Sequence, residues 1–259
     1  MKKILLTAAA LATFVAAPAM AADLRAPAYK APPLPPVPVY SWTGCYVGAG
    51  GGYGMWNQDI TTNWERTSQE TTAGGRGWFG TVQVGCDYQF SSNWVIGAFG
   101  DWDFGDIRGN AGLPDTNLFG HERQKWSWAA GARLGYVVIP NLLAYVSGGF
   151  TEAHFNAFAL LRESDGASSG LVIPAHTYNG WFLGTGYEYG LSLLPGLFWK
   201  TEYRYSQFSG ADLAFVCDAG PQEKCIVGPQ SIHARKFEQT IRSELVWRFN
   251  WGGPARAAY

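Results

Sequence analysis

From residue 42 to residue 249 the chain repeats one pattern: a run of period-two hydrophobicity, then a connection that is alternately short and long. About eight such runs occur, at Gly44–Trp56, Gly77–Phe90, Trp94–Phe104, Lys125–Val138, Leu142–Phe155, Thr177–Gly190, Leu197–Tyr205 and Arg235–Phe249. Residues 91–93, 139–141 and 191–196 are short links, whereas 57–76, 105–124, 156–176 and 206–234 are long and polar. A tilted strand crosses a bilayer in about 9–11 residues. Tight turns at one rim and long loops at the other predict an all-β fold. The expected form is an eight-stranded antiparallel up-and-down transmembrane β-barrel, with both termini on the short-turn, periplasmic side.

The alternation is sharpest in the last run. Ile241, Ser243, Leu245, Trp247 and Phe249 share one face, and Arg242, Glu244, Val246 and Arg248 share the other. The same parity sets Lys200, Glu202 and Arg204 against Trp199 and Tyr203, Arg133 against Trp126 and Trp128, and Asp101 and Asp103 against Trp102 and Phe104. A bilayer requires the apolar face outward, because a charge on the lipid side at mid-membrane costs about 2–4 kcal/mol.

A soluble lipocalin-like barrel also alternates, with its apolar face inward, and the aromatics separate the two folds. Tyr88, Trp94, Tyr136, Tyr189, Trp199, Trp247 and Phe249 fall near the short-turn ends, and Trp56, Trp78, Trp102, Trp126 and Tyr205 near the long-loop ends. Two belts are what anchoring at two membrane interfaces requires. Charged residues make up 15% of the chain and Lys only seven positions. A soluble barrel would coat its outer face with Lys and Glu.

Residues 1–21 read as a signal peptide: Lys2 and Lys3, the apolar stretch Ile4–Ala17, and a small-x-small pattern at Pro18-Ala19-Met20-Ala21. Its removal would leave 17 basic against 20 acidic residues, a net charge of −3, with no basic run. Nucleic acid is therefore not expected as a partner. Residues 22–41 form a Pro-rich periplasmic linker, expected to be extended because proline lacks the amide donor and fixes φ. The barrel occupies 42–249 and a C-terminal extension 250–259.

Particular stretches carry a family resemblance. Tyr40-Ser-Trp-Thr-Gly-Cys-Tyr-Val-Gly-Ala-Gly-Gly-Gly-Tyr-Gly54 resembles the opening of the small outer-membrane immunogenic proteins of alphaproteobacteria, a family often labelled porin-like. Gly131-Ala-Arg-Leu-Gly-Tyr136, Tyr145-Val-Ser-Gly-Gly149, Gly180–Glu188 and Thr201-Glu-Tyr-Arg-Tyr205 are similar to later strands of that family. The chain departs from the pattern at Cys45, where the family usually has Phe, and after Phe249, where the family ends on an aromatic. The resemblance implies location in the cell outer membrane, insertion by the barrel-assembly machinery, and a porin or haem-binding role in some members.

No catalytic constellation is evident, so no enzyme activity is expected. His121, His154, His176 and His233 lie in or beside the long stretches, and none has metal-ligand spacing. Neither a cofactor nor a metal is expected. The inward charges are Asp87, Asp101, Asp103, Glu188, Glu202 and Glu244 against Arg133, Lys200, Arg204, Arg242 and Arg248. Nearly balanced charges suit a lumen filled by its own side chains; a narrow water or ion path along them is the alternative. Cys217 and Cys225, eight apart, are expected to form a disulfide. Cys45 and Cys86 could form a cross-strand bridge or stand as free thiols. The functional expectation is a structural, surface-exposed barrel in contact with outer-membrane lipid and lipopolysaccharide, its loops open to host or envelope partners. The alternative is a small porin or a ligand-capture receptor, for example for haem.

Overall fold

The computed structural model describes residues 41–62, 70–113, 116–217 and 231–249. The signal, linker and C-terminal extension predicted from sequence lie outside the described residues, except for Ser41. The described chain is strand throughout: β1 (Gly44–Thr62), β2 (Glu70–Gln89), β3 (Trp94–Leu113), β4 (Leu118–Ile139), β5 (Leu142–Phe155), β6 (Phe158–Arg162), β7 (Ser168–Ile173), β8 (His176–Gly190), β9 (Leu197–Phe208), β10 (Ala211–Ala214), β11 (Val216–Cys217) and β12 (Ser231–Phe249).

Eight of these strands close on themselves. The antiparallel ladder runs β1-β2-β3-β4-β5-β8-β9-β12 and returns to β1 through a register from Cys45↔Phe249 to Thr62↔Ile232. Closure pairs every backbone group at mid-barrel within the sheet, which a hydrocarbon environment demands. A register slip by one residue would turn Arg242 and Glu244 outward and Ile241 and Leu245 inward, so the alternation specifies this pairing.

The strands overrun their predicted ends at the long-loop rim. β1 continues to Thr62, β2 starts at Glu70, β3 runs to Leu113 and β4 starts at Leu118. Much of 57–76 and 105–124 is therefore ladder, contrary to the loops expected there. Above the bilayer the outer face meets water and no longer needs apolar residues, so the alternation fades at Asn57, Asp59, Thr72 and Arg76 while the hydrogen bonding continues. Gly74, Gly75, Gly105 and Gly109, poor strand formers, hide these extensions further. The stretch 156–176 is likewise a hairpin, with β6 paired to β4 and β7 to β11, and β10 pairs with β12.

Inside, two apolar clusters are stacked along the axis. The one at the short-turn end joins Trp42, Tyr46, Val95, Phe99, Leu143, Phe182 and Phe198. The other, at the long-loop end, joins Trp56, Ile60, Phe79, Ile107, Phe155 and Tyr178 with Leu160, Leu171 and Leu213 from the added strands. Trp56 therefore does not belong to the outer belt predicted from sequence: it is 0% exposed, inside the barrel. Its even position in β1 puts it on the same face as Tyr46 and Ile60. Inward aromatics fit because glycines face them. Tyr46 lies opposite Gly85 and Tyr145 opposite Gly186, and each tyrosine ring occupies the space where the neighbouring glycine has no β-carbon.

Candidate functional site

The interior charges are arranged at three heights, interleaved with these clusters. Nearest the short turns, four strands contribute a closed quartet. Arg133 on β4 donates to Asp87 on β2 (Nε to Oδ1, 2.9 Å) and lies 3.2 Å from Glu188 on β8. Arg248 on β12 donates to both acids, at 2.7 Å to Asp87 and 2.6 Å to Glu188. The guanidinium of Arg133 sits 4.6 Å from the Tyr46 ring centre, and that of Arg248 lies 4.8 Å from Trp42. All four charged side chains are essentially fully buried. Such contacts are geometrically specific, since each guanidinium presents a planar fork to its carboxylates.

At mid-barrel, Arg204 on β9 donates two hydrogen bonds to Asp101 on β3, at 3.0 and 2.8 Å, and a third to Glu202 at 3.0 Å. Arg242 on β12 bridges Asp101 at 3.1 Å and Asp103 at 2.9 Å. Lys200 reaches the Gln83 amide oxygen at 2.6 Å and lies 3.4 Å from both Glu202 and Glu244. The Tyr145 hydroxyl donates to Glu202 at 2.9 Å. Every charged residue assigned to the interior from sequence is thus placed in one of these two networks.

A third height is not among the expectations drawn from sequence. Lys236 pairs with Glu122 at 2.7 Å, also hydrogen-bonds Gln58, and sits 4.1 Å from the Phe155 ring centre. Gln124 donates to Glu238 at 2.9 Å. Carrying the parity of Arg242 and Glu244 back along β12 reaches Glu238 and Lys236, a signal that was present in the sequence. Their partners Gln58 and Glu122 were hidden because they lie in stretches read as loop. The mouth above is closed by Ile60, Leu113, Leu160, Leu171 and Leu213, all buried. Strands β6, β7 and β10 supply part of this cap.

Cys45 and Cys86 are directly paired in the β1–β2 register and joined by a disulfide on the outward face. Cys217 is disulfide-bonded, and its expected partner Cys225 lies outside the described residues. The histidines all sit on strands, His154 within the predicted β5 and the other three beyond the predicted strand ends: His121 on β4, His176 on β8 and His233 on β12. Three of them make polar contacts to a neighbouring strand: His121 meets Asn110 at 2.8 Å, His154 meets Thr177 at 2.9 Å, and His233 meets Asp212 at 2.9 Å. Burial pushes His176 below the ordinary histidine range. At the β6–β7 turn, hydrogen bonds from Arg162 and the Ala167 amide hold Asp165 below the usual carboxylate range. Among the described residues no group of His, Cys, Asp and Glu has the geometry of a metal site.

The outer wall completes the picture. Val47, Val82, Val84, Ile96, Leu134, Val146, Leu183 and Leu245 are exposed at mid-height, with Tyr88, Trp94, Tyr136, Tyr189 and Trp247 toward the short turns and Trp78, Trp102 and Trp181 toward the opposite rim. A closed antiparallel barrel with an apolar wall, aromatic belts and a charged interior defines an outer-membrane β-barrel protein. A 31 kDa outer-membrane immunogenic protein of Brucella melitensis is 31% identical over 225 residues, covering 83% of this chain and 91% of the relative. A 25 kDa outer-membrane immunogenic protein of Brucella ovis is 28% identical over 221 residues, covering 80% and 90%. The chain belongs to the family of these outer-membrane immunogenic proteins and resides in the outer membrane. No family model matches it. Among solved structures, the outer-membrane protein OprG from Pseudomonas aeruginosa aligns with a TM-score of 0.49 at 13% identity, over 80% of this chain and 97% of that one. Neisserial surface protein A aligns with a TM-score of 0.40 at 13% identity, over 80% and 98%.

Proposed function

We propose that this protein is a non-conducting, non-enzymatic structural barrel of the outer membrane. Its wall contacts outer-membrane lipid, and its long-loop rim is presented to the exterior for host or envelope contacts. The observation that carries the reading is the Arg133–Asp87–Arg248–Glu188 quartet, which links four strands across the lumen with no exposed charge. A conducting path lined by mobile, hydrated charges would call for side chains free to rotate. Here each guanidinium is held by two carboxylates and by aromatic faces. An eight-stranded barrel has an interior just wide enough for such a filling. The expected biogenesis partner is the barrel-insertion machinery.

Single-channel recording on the refolded full chain in a planar bilayer tests this reading. No discrete conductance steps are expected across the ordinary voltage range. Reproducible steps that change size in an Arg133→Ala variant would favour a small porin instead.

A further inference from the structure

The outer wall is uncharged on β2, β3 and β4 from the short turns up to Trp78, Phe104 and Trp126, and just beyond these aromatics the character changes abruptly. Arg76, Arg108 and Arg123 lie directly opposite one another on three adjacent strands, in the registers Arg76↔Arg108 and Arg108↔Arg123. All three point outward, in step with Trp78, Trp102 and Phe104. A local irregularity between Gln124 and Trp126 turns Lys125 outward as well.

Like charges placed directly across a sheet destabilise it. Among the described residues only Asp106 offsets this row, accepting hydrogen bonds from both Arg108 and Arg123. Arg76 and Lys125 have no acidic partner among the described residues. Four cations against one carboxylate leave a net positive strip at one height. The strip borders a surface groove of about 690 Å³ lined by Arg76, Arg108 and Arg123 together with Asn57, Asn110 and His121. Gly74, on the groove floor, adds no side chain that would fill it.

We infer that this row is a binding site for the phosphorylated head group of an outer-leaflet glycolipid, the diphosphorylated sugar anchor of lipopolysaccharide. Three features support this class of ligand. The height is that of a head group, one step beyond the aromatic belt where acyl chains end. Guanidinia present paired donors matched to phosphate oxygens. The aromatic and apolar wall directly beneath, with Tyr53, Trp78, Trp102 and Trp126, offers the acyl chains a surface continuous with the groove. An anion seated across the row would also relieve the repulsion among the arginines. The inference deepens the lipid-contact part of the proposed function and does not depend on whether the lumen conducts, so a positive conductance result leaves it standing.

The test uses the full chain refolded in neutral detergent and titrated with diphosphorylated lipid A, with the same lipid stripped of both phosphates, and with inorganic phosphate. Binding is read from tryptophan fluorescence and from the thermal midpoint of the gel-mobility transition. Saturable binding of the diphosphorylated lipid is expected, at least about tenfold tighter than binding of the stripped lipid, as loss of charge-assisted contacts implies. A combined Arg76→Gln, Arg108→Gln and Arg123→Gln variant should lose affinity by a similar factor. If that variant does not refold, Arg76→Gln alone serves, since it breaks no ion pair, and a clear loss of affinity is still expected. Equal affinity for the stripped lipid, or unchanged affinity in the variants, would overturn the site. Inorganic phosphate binding as tightly as the lipid would overturn its assignment to a membrane glycolipid.

Discussion

Tyr46 faces Gly85 across the β1–β2 ladder so closely that a β-carbon on Gly85 would collide with the tyrosine hydroxyl. The same ring supports the Arg133 guanidinium at 4.6 Å. The glycine therefore sets the position of a tyrosine, and the tyrosine helps to position an ion-paired arginine. Gly85→Ala is expected to destabilise the barrel by about 1–3 kcal/mol, the usual cost of overpacking. The Ala98 carbonyl, 2.8 Å from the same β-carbon position, limits relief by backbone movement. A urea midpoint unchanged from that of the parent would show that the ring moves aside freely.

Arg133→Ala should cost more. It leaves Asp87 and Glu188 sharing Arg248 alone in a buried site, and breaking one partner of such a set typically costs about 3–5 kcal/mol. The loss should appear in equilibrium unfolding in detergent or vesicles. A variant as stable as the parent would mean that the quartet contributes nothing to holding β2, β4, β8 and β12 together.

A closed barrel has no free edge from which detergent can unzip it. Unboiled protein is accordingly expected to migrate differently from boiled protein on a denaturing gel. Identical migration under both conditions would argue against closure of β12 onto β1.

The Cys45–Cys86 bond ties β1 to β2 across a sequence separation of 41 residues. By chain entropy, a loop of that size corresponds to about 4 kcal/mol of stabilisation. A Cys45→Ser, Cys86→Ser double variant should unfold at lower denaturant concentration, with a deficit no larger than that. Reduction also opens the Cys217 bond, so reduced parent should unfold at or below the midpoint of the variant; reduced parent that stays more stable than the variant would assign the deficit to packing rather than to the cross-link.

Trypsin added to intact cells should cleave after Arg162, which is exposed at the β6–β7 turn beside Asp165. Lys200, Arg204 and Arg242 should be spared, because they are buried within the lumen. Cleavage confined to Arg25 or Lys30, in the linker expected on the periplasmic side, with Arg162 spared, would invert the topology, with the long-loop rim inside.

Much of this architecture was legible in the chain. The parity of Arg242, Glu244, Val246 and Arg248 against Ile241, Leu245 and Trp247 follows from a two-residue period and a solvent that accepts no charge. The alternation of short and long links similarly orders the strands as neighbours. Wherever lipid constrains one face, sequence alone separates inside from outside. Trp56 shows where that stops: an aromatic near a rim looks the same whether it anchors to the interface or fills the lumen, and only its parity along an extended β1 decides.

The pairing of the interior charges was not legible, and neither was the closure of the long-loop mouth. Arg242 meets Asp101 and Asp103 across 141 and 139 residues of sequence. Lys236 meets Glu122 across 114 residues. Which acid meets which base depends on the stagger of eight strands around the ring, and no local pattern carries that information. The strand extensions above the membrane likewise rest on backbone hydrogen bonds that place little demand on side-chain type. Sequence by itself determined the membrane-facing surface, because the bilayer penalises every exception there. Tertiary structure alone decided the interior partners and the Arg76–Arg108–Arg123 row, because both arise from residues that only barrel closure and register bring together.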